Sequence, residues 1–411
     1  MSKPMGPIPP DFAAADDDML LIGGRRADDL VAEAGDTPLF VYDLAMVERR
    51  IARFRAAFGP VHLHYAMKAN PFPPLLTHVR NLVDGIDLAS GGELTIALAA
   101  GVEGNSTSFA GPGKRDPDLE AAIAAGVTLN CESEGEATRA LRIGDRLGTA
   151  PRIAVRVNPD FEIKGSGMRM GGGAKPFGID AERVPALVRH LIEAGAEFRG
   201  YHIFAGSQAL SADALIEAQR ESVLLARNLT ETAGASPALV NLGGGFGIAY
   251  FHGEQTVDVE RIGEMLQETL SSEWQGSANT HFAIELGRWL VGEAGVYLTR
   301  ILDRKISHGK TFLVCDGGMH HQLAASGNFG QVVRRNYPVA IASRFGAAPA
   351  EEVTIVGCLC TPLDRLGDDV MTPKAEVGDL VAVFLAGAYG LSASPQAFLA
   401  QQPAREMVVG G

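Results

Sequence analysis

The stretch VHLHYAMKANPFPPLLTHVRNLVDGIDLAS, Val61–Ser90, decides the fold. It opens on an apolar run, Val61–Lys68, that reads as a strand. Pro74–Val83 follows as a helix, and Gly85–Ser90 is a second short strand. Strand, helix, strand in that order implies two parallel strands joined by a crossover helix. Working outward, the alternation continues to about residue 287. Further strands are predicted at Ser106–Gly111, Val127–Ser133, Arg152–Asn158, Arg199–Phe204, Leu239–Leu242 and His281–Glu285. The helices between them, such as Gly92–Ala100, Pro117–Ala125, Glu134–Leu147, Ala181–Ala194, Ala212–Ala233 and Val257–Trp274, often stop at a glycine. Gly101, Gly126, Gly148, Gly195 and Gly234 fit helix C-caps. Eight such units imply an α/β fold of the closed (β/α)8, TIM-type barrel kind.

After Glu285 the pattern changes. Gly295–Leu302, Thr311–Cys315, Glu352–Val356 and Leu380–Leu385 read as strands separated by Gly and Pro turns. They predict a C-terminal β-barrel or β-sandwich domain. The expected division is 1–45, an N-terminal segment that packs with the β domain; 46–287, the barrel; and 288–411, the β domain. Lys164–Lys175, rich in Gly and Met, is expected to be a loop. The tail after Gln401 is expected to be loosely held.

The chain has 411 residues, of which 46% are hydrophobic and 21% charged, enough for two domains with ordinary cores. Its formal net charge of −13 argues against nucleic acid, which needs a basic footprint. Four cysteines, Cys131, Cys315, Cys358 and Cys360, are too few for a disulfide framework in a chain this long. Met1–Asp18 lacks a basic segment followed by an apolar one, and no apolar run is long enough to span a bilayer. A cytoplasmic protein without a membrane partner is the expectation.

In such a barrel the site is built at the C-terminal ends of the strands. Lys68, His202, Gly243–Gly245, Glu285 and Arg288 all fall there. A lysine ending an apolar strand is costly as a buried ammonium; forming a Schiff base removes that charge. Its plainer alternative is a lysine that snorkels to water. Three glycines at a strand end can cradle a phosphate with their N–H groups, or merely permit a tight turn. Glu285 can pair with a pyridinium nitrogen or form an ion pair with Arg288. Arg288 can bind phosphate. His202 can stack on a flat ring or be a satisfied core histidine, the commoner case. His320 and His321 have no neighbours in sequence that complete a metal-ligand set, so no metal is expected.

Taken together, HYAMKANP (His64–Pro71), DLASGGEL (Asp87–Leu94), RVNP (Arg156–Pro159), KPFGI (Lys175–Ile179), HIFAGSQ (His202–Gln208), NLGGGFG (Asn241–Gly247), ELGR (Glu285–Arg288), GCLCTPLD (Gly357–Asp364) and GAYG (Gly387–Gly390) resemble the fold-type III pyridoxal-phosphate (PLP) decarboxylases, from about Thr37 to Leu399. Diaminopimelate, ornithine and arginine decarboxylases belong to that family. The resemblance implies pyridoxal 5'-phosphate as cofactor, Lys68 as the Schiff-base lysine, Glu285 at the pyridine nitrogen and His202 stacked on the ring. It implies that Gly243, Gly244, Gly245, Arg288 and Tyr389 hold the phosphate, with Ser207 and Gly287 beside them. It also implies a homodimer with shared sites, in which Cys360 reaches across and reprotonates the carbanion. A buried structural cysteine would be the plainer fate.

Two departures bear on substrate. The residue after the cysteine is acidic in relatives that bind a distal amine, and here it is Thr361. The Arg-Pro-x-x-Tyr element of diaminopimelate enzymes is absent from DGGMHHQLAASGNFGQVVRRNYP (Asp316–Pro338). Arg334, Tyr337, Thr361 and Asp364 are the candidate substrate contacts that remain, Asp364 as a partial substitute for the missing acid. Those stretches, with GSGMRMGGGAKPFGI (Gly165–Ile179), resemble a narrower subgroup. It includes the decarboxylase of glutamyl groups on an acyl carrier protein in butirosin-type biosynthesis and exosortase-associated decarboxylases. The substrate implied is a free or carrier-tethered amino acid. The alternatives are a free diaminopimelate or ornithine-type decarboxylase, an amino-acid racemase and a non-enzymatic PLP-binding regulator. Glu285 and the Cys360 motif weigh against the racemase. The presence of both domains, Lys68 and Cys360 weighs against the regulator.

Overall fold

The computed structural model describes residues 2–163, 165, 167–329, 331 and 334–411. Lys164 and Ser166, in the predicted Lys164–Lys175 loop, lie outside them. The chain divides into two compact units. One comprises Arg50–Gly247 and Thr256–Gly287; the other comprises Met1–Arg49, Ile248–Gln255 and Arg288–Gly411.

The first unit is a closed parallel barrel of β1 (His62–Ala66), β2 (Gly85–Leu88), β3 (Thr107–Phe109), β4 (Thr128–Cys131), β5 (Arg152–Asn158), β6 (Glu197–Ile203), β7 (Leu239–Gly244) and β8 (His281–Leu286). Each strand pairs with the next, and β8 returns to β1. The strands are those the alternation predicts, shorter at several ends. Side chains of Ser90, Ser133, Ser211 and Asp258 accept N–H groups that open helices, from Glu93, Glu136, Ala214 and Arg261. Gly101, Gly126, Gly148, Gly195 and Gly234 all take the left-handed conformation, with φ from +64° to +83°. An L side chain there would be strained.

Barrel interiors of this type are usually filled by branched aliphatic side chains. Here the middle is polar: His64, Asp87, Ser108, Asn130 and Asn241 are all buried. A cavity of about 570 Å³ at the N-terminal ends of the strands reaches His64, Ser108, Asn130 and Asn241.

β6 carries a bulge. Phe198 pairs with Ile153 and Gly200 with Ala154, so Arg199 is the extra residue. One extra residue shifts the in/out alternation of the rest of the strand. Downstream of it His202 faces the barrel interior, opposite Glu285. Gly200 makes the bulge possible: its φ is +134°, and a Cβ there would lie 1.9 Å from the Leu239 carbonyl oxygen.

In the second unit a long strand, β9 (Gly295–Ser307), is central. It pairs antiparallel with β10 (Lys310–Cys315), and Thr311–Val314 of β10 runs parallel to β12 (Glu351–Val356). β13 (Arg365–Thr372) completes that edge. β14 (Leu380–Val383) pairs with β9 and with β11 (Val339–Ile341). The N-terminal strand Leu39–Asp43 also pairs with β9. The tail departs from expectation: Arg405–Val409 is a strand, parallel to Leu39–Asp43. Its apolar Met407-Val408-Val409 run and an unpaired edge beside it outweigh the fraying usual at a terminus.

Gly200→Ala is expected to lower the unfolding free energy by about 1–3 kcal/mol, the usual cost of forcing atoms into a packed interior. Urea titration followed by circular dichroism measures it; an unchanged midpoint would mean that the bulge has slack.

Candidate active site

β1 ends at Ala66, and Lys68 sits in a single 3-10 turn, Met67–Ala69, that follows it. The predicted strand end is thus a turn, and the lysine side chain is 42% exposed rather than sunk in the apolar strand. Its Nζ donates to Glu285 Oε1 at 3.3 Å and lies 5.1 Å from the centre of the Phe204 ring. Glu285, near the end of β8, is buried, and its Oε2 is 3.0 Å from His202 Nε2. Burial works against the Glu285 charge, but Lys68 and His202 hold its carboxyl far below the ordinary range. His202 Nε2 faces a carboxylate and therefore carries a hydrogen. Its Nδ1 is buried with no hydrogen-bond partner among the described residues.

The turn after β7 lies in the same unit. Gly243 and Gly245 have φ of +69° and +83°. A Cβ on Gly243 would lie 2.7 Å from the Ile203 carbonyl oxygen, one on Gly244 1.9 Å from that of Glu285, and one on Gly245 2.4 Å from that of Gly206. Only glycine fits at such approaches. Ser207, half-buried, is the next residue after Gly206. Gly287 allows another close approach: a Cβ there would lie 2.7 Å from Ala69 Cβ, beside the Lys68 turn.

In the second unit Arg288 donates from Nη1 to the Tyr250 hydroxyl at 2.9 Å. Its guanidinium centre is 4.6 Å from the Tyr389 ring centre, and its Nε is buried without a hydrogen-bond partner among the described residues. Tyr389 holds a φ of +54°, uncommon for a side-chain-bearing residue. Tyr337 is buried with its ring centre 4.9 Å from that of Tyr250. Arg334 donates to the Arg365 carbonyl at 2.9 Å. Cys360 is exposed, and Thr361 accepts a local N–H from Leu363. Asp364, expected as a substrate contact, is turned inward: it is 2% exposed and accepts N–H groups from Met319 and Leu359 at 2.6 and 2.9 Å. Those bonds make it a brace of two backbone segments. His321 donates from Nε2 to the Gln402 carbonyl at 2.8 Å and faces the Tyr297 hydroxyl through Nδ1 at 3.1 Å. Burial pushes it down to about 4.

The structure brings Lys68, His202 and Glu285 together, and separately Arg288, Tyr389 and Tyr337. Residues passed over in the sequence join them. Tyr250 pairs with Arg288 and sits in Ile248–Gln255, a segment that leaves the barrel pattern. Glu93, inside DLASGGEL, accepts the Ala89 N–H at 2.6 Å; burial pushes its carboxyl up, against the pull of that N–H and of Lys68. Elsewhere in the barrel unit, Glu132 is buried and accepts from Arg156 Nη1 at 2.7 Å.

Because folding lowers the Glu285 pKa, the ionised carboxylate stabilises the fold above the ordinary glutamate value of about 4.3. That stabilisation is lost as pH falls below it. For the ligand-free chain, the melting temperature should fall more steeply between about pH 6 and pH 3 in the parent than in Glu285→Gln. Equal slopes would mean that Glu285 is not held ionised.

The family model described as "Pyridoxal-dependent decarboxylase, pyridoxal binding domain" matches residues 44–292. The chain is 37% identical over 376 residues to the L-glutamyl-(BtrI acyl-carrier protein) decarboxylase of Niallia circulans, covering 89% of this chain and 86% of that protein. It is 32% identical over 386 residues to the diaminopimelate decarboxylase of Archaeoglobus fulgidus, covering 92% and 89%. The crystal structure of diaminopimelate decarboxylase from M. jannaschii in complex with L-lysine superposes with a TM-score of 0.87 at 26% identity, covering 97% of this chain and 92% of that one. The residues present fit pyridoxal phosphate. There is a half-exposed amine, a buried carboxylate, an imidazole with an unpaired ring nitrogen, and a turn so close-packed that a Cβ would fill it. Matched across its barrel by the family model and over nearly its whole length by these relatives, the chain belongs to the pyridoxal-dependent decarboxylases.

Proposed function

We propose that this decarboxylase removes the α-carboxylate of an aminoacyl group extended through its side chain, a glutamyl group on an acyl carrier protein being the model substrate. The observation that carries the chemistry is the Lys68–Glu285–His202 cluster at the C-terminal mouth of the barrel. Three features support the tethered substrate. The 37%-identical relative is named for that reaction. Thr361 stands where an acid would meet a distal ammonium. Asp364, the nearest acid in sequence, is spent on backbone N–H groups. A free diamino acid would leave its distal polar groups unpaired, at about 1–3 kcal/mol each.

Bound pyridoxal phosphate supplies the sink for the electron pair left when CO2 departs. The protein's residues supply the rest. Lys68 Nζ would hold the cofactor as the amine of the site. Glu285, ionised beside Lys68 and His202, would keep a proton on the cofactor's ring nitrogen. His202 gives a flat face whose orientation the Glu285 bond fixes. The Gly243–Gly245 turn would receive the phosphate, with Ser207 beside it. Arg288, its guanidinium over the Tyr250 and Tyr389 rings, is a cation of the second unit suited to an anion. Cys360, an exposed thiol, returns a proton from Sγ to the carbon that lost CO2. Arg334 and Tyr337 remain the candidate substrate contacts of the second unit.

In this reading the working form is a cytoplasmic homodimer that shares its sites, Cys360 serving the second copy. Residues 46–287 form the cofactor domain, and 1–45 with 288–411 form the other. Among the described residues, no helix is long and apolar enough to cross a membrane.

The test is CO2 release by the PLP-loaded protein on free diaminopimelate, ornithine, lysine, arginine and glutamate, and on a glutamyl-loaded acyl carrier protein. Turnover confined to the tethered glutamyl group is expected. Turnover of free diaminopimelate or ornithine at a comparable rate would make this a free-amino-acid enzyme. A second arm uses Cys360→Ala, for which a kcat loss of about 100-fold or more is expected, the usual worth of a positioned proton donor. A full rate would remove Cys360 from the reaction.

A further inference from the structure

Beneath the Gly243–Gly245 turn lies the chain of buried polar groups inside the barrel. Asn241 Oδ1 accepts the Gly243 N–H at 2.9 Å. Its Nδ2 donates to Asp87 Oδ2 at 3.2 Å, across from β7 to β2. The two bonds fix the amide's orientation, since only the oxygen accepts from an N–H and only the nitrogen donates to a carboxylate. Asp87 is itself held from the other side. Ser108 donates to its Oδ1 at 2.5 Å, His64 Nδ1 lies 3.2 Å from the same oxygen, and Asn130 donates to Ser108 at 2.9 Å. Asn241, Asp87, His64, Ser108 and Asn130 are between 3% and 7% exposed. Gly85 keeps the arrangement tight: a Cβ there would lie 2.7 Å from the His64 ring.

We propose that Asp87 and Asn241 are positioning residues for phosphate, fixing from inside the barrel the Gly243–Gly245 turn. This rests on the reading that the turn takes the cofactor phosphate. The physical argument is one of rigidity. A turn of three glycines is the least ordered backbone a protein has, and it loses the most freedom when it closes on an anion. Tying the Gly243 N–H to Asn241, and Asn241 to an ionic anchor in the middle of the barrel, removes that freedom before the ligand arrives. The Gly243 N–H is occupied by Asn241, so its own role is to orient the turn. A cavity reaching Asn241 and His64 from the far end of the barrel lets the network keep its polar character without opening the site.

The test compares binding of pyridoxal phosphate with pyridoxal, which lacks the phosphate, by absorbance and tryptophan quenching, with no turnover involved. The parent should prefer pyridoxal phosphate. Asn241→Ala should weaken pyridoxal phosphate about tenfold, the worth of a strong buried hydrogen bond. It should leave pyridoxal within about twofold; general loosening of the fold would weaken both. Asn241→Asp places two carboxylates together and should also lose the preference. The exchange Asp87→Asn with Asn241→Asp restores one carboxylate and one amide across the same gap, and should recover the preference to within about threefold. If Asn241→Ala does not fold, the aspartate variant and the exchange decide between them. A preference that survives in Asn241→Ala, or an exchange no better than the single aspartate variant, overturns the proposal. A parent that binds both compounds equally overturns the phosphate reading of the turn, and the proposal with it.

Discussion

A single buried carboxylate organises the barrel end of this protein. Glu285 lies in a closed ring of strands and is ionised only because an ammonium and an imidazole meet its two oxygens. Removing either partner leaves the buried charge only half compensated, a substantial cost to a fold. That requirement fixes where β1, β6 and β8 must end relative to one another. It explains why β6 accepts a bulge at Gly200: the strand's phase must turn His202 inward. It explains Gly287 as well, since the end of β8 must lie against the turn that carries Lys68. Backbone irregularities gather around one charge, and each keeps a partner in reach of it.

The same economy runs deeper into the barrel. A packed aliphatic centre would insulate the two ends of the ring from each other. This chain instead places Asp87, Asn130 and Asn241 at its middle and satisfies them among themselves. A network of that kind is favourable only when nearly every member is paired, and it then holds its members rigidly. The upper face of the barrel therefore rests on polar contacts with fixed directions, which suits a site that must receive a flat ring and a phosphate at once.

Much of this was legible in the sequence because barrels repeat. Eight apolar runs with helices between them leave few other folds, and the rule that sites gather at strand ends selects Lys68, His202, the three glycines and Glu285 without further help. What the residues could not show was contact. Asp87 and Asn241 sit in GIDL and LVNL, short runs that read as ordinary strands; a polar residue inside each was the only sign of the network. Tyr250 escaped notice because its segment belongs with the second unit although it lies between barrel elements. Asp364 looked available for substrate because spacing alone does not reveal which N–H groups a carboxylate accepts. The strand Arg405–Val409 was missed because its pairing partner lies more than 350 residues earlier in the chain.

The central claim is that Lys68 is the amine that holds the cofactor. Reducing the PLP-loaded protein with borohydride, digesting it and sequencing the pyridoxyl-bearing peptide by mass spectrometry tests this directly. The account predicts one modified peptide, spanning HYAMKANP, with the added mass on Lys68. Modification of another lysine with Lys68 unmodified would contradict it.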